Sequence, residues 1–460
     1  MAGALARLSG RPGLCLSIKG PGVANLMAGL ATCRLENLPV IAVSEAYGVN
    51  DILLRQHKRM DHAGFARSSC KRHIGLPAGP GVIDSLIDSA TAEIPGPVFL
   101  ELAATDTNRE DAPLVSASPQ DSERTLRIVE AAERPIIIVG CLATRLDLFD
   151  QLSALRFPVF TTAAAKGSVD ESMPCSAGVF TGAGLDLAPE STILPESDLV
   201  IGIGMRPAEV LALDKIPCGI VGIDAIPPCA PNLFNAFASP SLLPALWDIL
   251  STRRWGLDLV QESQVALREH LLSMPFLPAH CFVGLDQYFD GDYRIVLDTG
   301  AFCTVGEHLC RVREPMNYLS SGMARSMGAS LPMAVAASIH DASKPTVLAV
   351  GDGGIGMYIA DLKLAVAANS PLLVILFSDS AFGSIRAAAK LAGLTEKPLK
   401  IAQPGWCRVG EGMGLWCAEA VNQNEFCQAL SSWSPEVGPG LIEVHFPADP
   451  YRDMTRNLRG

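Results

Sequence analysis

The chain has 460 residues, enough for about three domains at roughly 150 residues each, with 36 basic and 48 acidic residues for a net charge of −12. That acidity excludes a general electrostatic attraction to nucleic acid or to an anionic membrane surface. Charged residues make up only 18% and hydrophobic residues 49%, which excludes disorder and supports large cores and a subunit interface.

The opening residues MAGALARLSGRPG lack an apolar core and a small-residue cleavage site, so no secretory signal is read there. The longest uncharged run, Ala225–Trp247, carries Pro227, Pro228, Pro231, Pro240 and Pro244 and cannot be a membrane helix. The 13 cysteines are scattered with no C-x-x-C pair, which suits reduced thiols. A cytoplasmic chain is expected.

Short β-branched runs alternate with Ala- and Leu-rich helical stretches, the pattern of α/β domains with parallel sheets flanked by helices. Strands are predicted over 14–18, 39–44 and 97–102 in the first block, with a polar linker over 106–123. The second block carries predicted strands at 135–140, 157–162, 199–204 and 219–224. A charged helix near 258–272 leads to a third block with strands at 294–298, 346–350, 372–377 and 441–445. The implied domains are 1–118, 119–257 and 258–460. The first and third blocks share a pattern: Gly20-Pro21-Gly22 opens a helical stretch ending in Asn37-Leu38-Pro39, and Gly351-Asp352-Gly353 opens one ending in Asn369-Ser370-Pro371. Two related domains flanking a middle one are expected.

The sharpest local signal is TVLAVGDGGIG at 346–356, a strand, a glycine turn and a helix start, an arrangement whose backbone N–H groups bind phosphate. Gly351, Gly353 and Gly356 also satisfy G-x-G-x-x-G, so a nicotinamide-dependent oxidoreductase is one reading. Asp352 opposes it, because a carboxylate in the turn repels a pyrophosphate unless a cation stands between them. The next strand ends in Ser378-Asp379-Ser380, so Asp379, 27 residues on, converges with Asp352 at neighbouring strand ends. Alone, Asp352 reads as a turn residue and Asp379 as a helix N-cap; together they suit Mg²⁺ bridging a diphosphate.

GDG followed by a second polar ligand at this spacing resembles the signature of thiamine diphosphate (ThDP) enzymes. GRPGLCLSIKGPGVANLMAGLATCRLENLPVIAVS, FPVFTTAAAKGSVDESMPCSAGVFTG and SSGMARSMGASLPMAVAA resemble the pyrimidine-binding, middle and diphosphate-binding domains of the acetolactate synthase and 2-oxo-acid decarboxylase branch. The resemblance implies ThDP and Mg²⁺ as cofactors, with the metal on Asp352, Asp379 and the Ala381 carbonyl. Gly351, Gly353, Gly354, Ser380 and Phe382 would lie along the cofactor, and Met327 would prop it into a bent form. Gly20, Pro21 and Gly22 would belong to the pyrimidine-side wall. In such enzymes the cofactor lies between subunits, so a homodimer or homotetramer is implied, acting on a small 2-oxo acid as decarboxylase or carboligase. The family has Asn-Asn where this chain has Ser378-Asp379; an Asp there keeps the oxygen ligand.

The family's activating glutamate, which hydrogen-bonds the aminopyrimidine, precedes the motif resembling MAGALARLSGRPG and so falls before Met1. Three expectations follow: an N-terminally short form, a catalytically silent or regulatory paralogue, or completion by another chain. Glu45 is a candidate substitute acid, with a plain strand-edge carboxylate as the alternative. Gln56, His57 and His62 lie in a segment resembling one near the active site; either histidine could transfer protons, and a solvated polar helix accounts for them equally. IIIVGCLATR and IGIGMRPAEV stand where some relatives bind FAD, but the first lacks a glycine pair, so FAD is not expected. Lys166-Gly167 resembles a family motif of structural character.

Overall fold

The computed structural model describes residues 1–48, 57–76, 81–102, 119–182, 187–206, 209, 211–224, 231–450 and 458. Met1–Pro113 forms one unit and Leu114–Gly460 a second. Among the described residues, no helix is long and apolar enough to cross a membrane.

The first unit is built on strands β1 (Gly13–Ser17), β2 (Val40–Glu45), β3 (Arg72–Leu76) and β4 (Val98–Leu102). All are parallel, in the order β1-β2-β4-β3. The crossover after β1 is the helix Pro21–Leu35, which opens on Pro21, a residue preset for a first helical position. Gly20 before it has φ 70°, and a Cβ there would stand 2.0 Å from the Lys58 carbonyl oxygen, so only glycine fits. Val23, Leu30, Val40, Ala42 and Phe99 form one buried cluster of this unit, and Leu86, Ala90, Val98 and Leu100 form another.

The second unit holds two six-stranded parallel sheets. One comprises β5 (Pro135–Val139), β6 (Val159–Thr161), β7 (Ser176–Val179), β8 (Leu199–Ile203), β9 (Gly219–Ile223) and β10 (Ala236–Ala238), in the order β10-β9-β8-β5-β6-β7. The other comprises β11 (Arg294–Leu297), β12 (Tyr318–Ser320), β13 (Thr346–Gly351), β14 (Leu372–Ser378), β15 (Trp416–Ala420) and β16 (Gly440–His445), in the order β12-β11-β13-β14-β16-β15. Strands β5, β8 and β14 are buried along their whole length, as all-apolar runs covered on both faces must be.

The repeat read from the two Gly-opened helices reappears as topology. The order β1-β2-β4-β3 of the first unit recurs as β13-β14-β16-β15. Both fourth members carry a buried glutamate, Glu101 on β4 and Glu443 on β16, each three residues after the strand's first.

The expected linker over 106–123 needs correction at its end. A helix runs from Pro119 to Ala131, beginning inside that stretch, with Asp121 in its first turn and Val129 buried. Its charged residues belong to the polar face of an amphipathic helix rather than to a loop.

Candidate active site

The site grows from the carboxyl ends of β13 and β14, which pair in parallel register up to Gly351 against Phe377. Parallel neighbours end on the same edge, so Asp352, first residue of the helix Asp352–Tyr358, and Asp379, one residue past β14, are brought together. Asp352 is buried, and its Oδ2 accepts the Ser380 backbone N–H at 2.8 Å and the side-chain amide of Gln403. Gln403 is fixed in turn by the Trp406 indole N–H, which donates to its Oε1 at 2.7 Å. Asp379 Oδ1 accepts the Ala381 N–H at 3.2 Å. Burial, and then the neighbouring Asp352, push the Asp379 carboxyl up to about 7, and burial raises that of Asp352.

Ala381 faces Lys400 across a short antiparallel bridge. That bridge is made by Phe382 N–H to the Leu399 carbonyl and Ile401 N–H to the Ser380 carbonyl, so the Ala381 carbonyl takes no part in it. Ser380 adopts φ 58°, the left-handed turn that lets the chain fold back after Asp379. Two carboxylates whose mutual repulsion a 2+ charge relieves, beside a carbonyl left out of the bridge, fit a hard oxygen-seeking cation such as Mg²⁺.

The glycines of the turn are demanded by close packing. A Cβ on Gly353 would stand 2.7 Å from the Phe382 ring, and one on Gly354 would stand 2.3 Å from Asp298 Oδ2. Asp298, just past β11, also accepts the Gly328 N–H, so the turn bearing Met327 is pinned against the Gly354 backbone. Met327 itself is half-buried.

In the first unit His62 is tied to Gly20, and of its two readings the solvated polar helix does not hold. His62 opens the helix His62–Ser69 but is buried. Its Nε2 accepts the Gly20 N–H at 2.8 Å while Nδ1 lies 2.7 Å from Glu101 Oε1. The first contact requires a bare Nε2, so the proton sits on Nδ1 and donates to Glu101. His73 stands 3.4 Å from the other Glu101 oxygen. His57 does not join this group: its Nδ1 is 3.2 Å from the Tyr47 hydroxyl, which donates to the His57 carbonyl at 2.9 Å. Glu45 is half-exposed at the end of β2 and paired with Lys19 at 2.9 Å. Pro21 and Gly22 begin the helix after Gly20, where a Gly22 Cβ would meet Ile18 at 2.9 Å. Gln56 lies outside the described residues.

Three family models match the chain in order: the N-terminal TPP binding domain of thiamine pyrophosphate enzymes over residues 1–65, their central domain over 122–227, and their C-terminal TPP binding domain over 298–444. The chain belongs to the thiamine pyrophosphate enzymes. Within that family it is of the acetolactate synthase and 2-oxo-acid decarboxylase branch. A probable 2-ketoarginine decarboxylase of Pseudomonas aeruginosa is 27% identical over 96% of this chain and 84% of its own length. Probable acetolactate synthase 2 of Oryza sativa subsp. japonica is 23% identical over 97% of this chain and 75% of its own. The acetolactate synthase isozyme 2 large subunit of Escherichia coli is 24% identical over 95% and 85%.

This thiamine pyrophosphate enzyme also carries functional groups that sequence reasoning missed. Gln403 and Asp298 stand outside the motif and reach it only through the fold; the one local signal was the placement of Asp298 at a strand end. In the middle sheet, buried Glu209 accepts the backbone N–H groups of Cys141 at 2.8 Å and Arg206 at 2.7 Å and the Thr162 hydroxyl. These donors sit at the carboxyl ends of β5, β8 and β6, where an α/β sheet of this type receives a nucleotide's anionic groups. Here the Glu209 carboxylate engages all three donors. The Gly140 and Gly204 turns pack directly on their neighbours, a Gly140 Cβ standing 2.4 Å from Met205 Cα.

Proposed function

We propose that this chain binds thiamine diphosphate through Mg²⁺ and acts on a small 2-oxo acid, as a decarboxylase or a carboligase. The observation that carries the reading is the Asp352–Asp379 pair, one carboxylate buried and the other half-buried at adjacent strand ends, with a cation-seeking charge balance. The names of its relatives, an acetolactate synthase and a 2-ketoarginine decarboxylase, support the substrate class. When bound, thiamine diphosphate supplies the electron sink that lets a 2-oxo acid lose its carboxylate.

In this reading Asp352, Asp379 and the Ala381 carbonyl hold the metal. Gly351, Gly353, Gly354 and Ser380 line the diphosphate, with the Phe382 ring keeping Gly353 in place. Met327 props the cofactor, and Asp298 holds the Met327 turn. Gly20, Pro21 and Gly22 form the pyrimidine-side wall, contributed by a second copy in a homodimer or homotetramer. Leu14, Leu16 and Ile18, apolar and exposed along and just past edge strand β1, support a face covered by assembly. Glu45, engaged by Lys19, is read as a strand-edge carboxylate; the proton-transfer group is left unassigned. The domains are read as 1–118, 119–257 and 258–460, and the protein as cytoplasmic.

The test is calorimetric titration of the full chain with ThDP in the presence of Mg²⁺ and then of EDTA, followed by turnover with pyruvate. Binding that EDTA abolishes, with release of CO₂, is the expected result. Mg²⁺-dependent binding without turnover would identify a silent subunit, and NAD(H) binding indifferent to EDTA would overturn the assignment.

A further inference from the structure

A second group of metal-binding side chains lies at the edge of the third sheet, separate from the aspartate pair. Cys407 belongs to the helix Trp406–Met413, Glu419 to β15 and Glu443 to β16, and the two glutamates are register partners across the parallel strands. The Cys407 sulfur and one oxygen of each carboxylate lie within 4.8 Å of one another. His445, two residues past Glu443 and on the same face of β16, brings its Nε2 to 3.8 Å from Glu419 Oε2 and 3.9 Å from Glu443 Oε1.

Glu443 gives the independent sign of a missing ligand. It is only 1% exposed, and its Oε1 accepts the Ser378 hydroxyl at 2.8 Å. Its Oε2 is buried with no hydrogen-bond partner among the described residues. A buried carboxylate oxygen left unsatisfied is costly, and native structures rarely keep one without an ion or water to meet it.

We propose that Cys407, Glu419, Glu443 and His445 bind a divalent transition-metal ion of the zinc or cobalt class. One sulfur, one imidazole nitrogen and two carboxylate oxygens are the donors of a tetrahedral, borderline-soft centre, and the thiol sets the site apart from Mg²⁺ chemistry. Bonds of roughly 2.0–2.3 Å place tetrahedral ligands about 3.3–3.8 Å apart, so Cys407, Glu419 and Glu443 close on an ion by about 1 Å, and the His445 ring swings in from its place beside the two glutamates. Glu419 is exposed and His445 half-exposed, and their side chains supply that movement. The Cys407 thiol donates to the Ala418 carbonyl at 3.2 Å; on binding, its proton passes to solvent and the sulfur becomes a thiolate ligand. The ion ties the helix to β15 and β16, and through Ser378 its site adjoins the residue before Asp379.

The test is a Co²⁺ titration of the full chain, followed by the near-ultraviolet thiolate-to-cobalt charge-transfer band that oxygen-only sites cannot give. A D352N/D379N background silences the aspartate pair. The expected result is one equivalent of Co²⁺ with the band present, the band lost in C407S, and affinity lowered tenfold or more in E419A. Glu419 is solvent-facing, so E419A tests the site even if C407S misfolds. No band at stoichiometric Co²⁺, a band that survives C407S, or affinity unchanged in E419A would overturn the proposal.

Discussion

The backbone N–H of Gly328 donates to both carboxylate oxygens of Asp298, at 2.9 and 2.8 Å. Gly328 has φ 82°, and a Cβ there would stand 2.8 Å from the Gly354 carbonyl, so this bond locks the Met327 turn onto the diphosphate loop. Burial pushes the Asp298 carboxyl up to about 6, against the opposing pull of its hydrogen bonds from Gly328, Thr299 and Ser330. With the folded value above the unfolded one, the native state holds a proton that the unfolded chain releases first. The contribution is therefore fullest below about pH 4 and is lost as pH rises through about 6, worth about 3 kcal/mol at most. The urea midpoint of the wild type minus that of D298N should fall across this window. D298N should also weaken ThDP binding, since an amide NH₂ facing the Gly328 N–H cannot accept both bonds.

Glu101 has the opposite sign. Burial alone would raise its carboxyl, but the hydrogen bond from His62 and the nearby His73 imidazole outweigh it and hold the carboxyl at about 2. The resulting stability is present above about pH 4.5 and drains away as pH falls toward 2. E101Q should flatten that acid limb. H62A should have a sharper local effect: it removes the acceptor of the Gly20 N–H, so exchange of the Gly20 amide with solvent deuterium should rise at least tenfold while strand β2 stays protected.

Asp352, Gln403 and Trp406 form a hydrogen-bonded chain, each link aiming the next. D352N and D379N, which each remove a charge from the cation's seat, should reduce Mg²⁺-dependent ThDP affinity by a hundredfold or more in calorimetry. Q403A leaves both carboxylates in place but lets Asp352 swing, and loss of such an outer partner costs roughly 10- to 100-fold in metal affinity. The ordering D352N worse than Q403A, with Q403N between Q403A and wild type, is the outcome to look for.

The parts of this fold legible in the sequence are those where one physical signal dominates. β5, β8 and β14 are runs of buried residues, and the length of their β-branched apolar stretches between helical ones places them. The aspartate pair was legible because parallel topology converts a strand-end spacing into proximity. β3 (RHIGL) and β15 (WCAEA) were not, because short edge strands carry mixed polarity and take their shape from their neighbours. The same limit hid Gln403 and Glu209, whose partners lie 51 and 68 residues away. The sequence leaves His62 between a proton-transfer group and a solvated polar helix; Glu101, 39 residues downstream, draws it into the core and excludes only the second.

Glu209 offers the last prediction. Its carboxyl is raised by burial, against the pull of Thr162, Arg206 and Cys141, which all donate to it. E209A would leave two backbone N–H groups and a hydroxyl facing a gap, and a buried unsatisfied donor costs about 1–3 kcal/mol. Partial access of water to the gap reduces that sum, so a loss of about 2–4 kcal/mol is expected in E209A and less in E209Q, which keeps an acceptor. The same pair separates two roles for this carboxylate. If Glu209 occupies the position of a nucleotide phosphate, ADP or FAD should raise the melting temperature of E209A and leave that of the wild type unmoved. If both proteins ignore the nucleotides, the direct packing of the Gly140 and Gly204 turns has closed the pocket, and Glu209 serves the sheet alone.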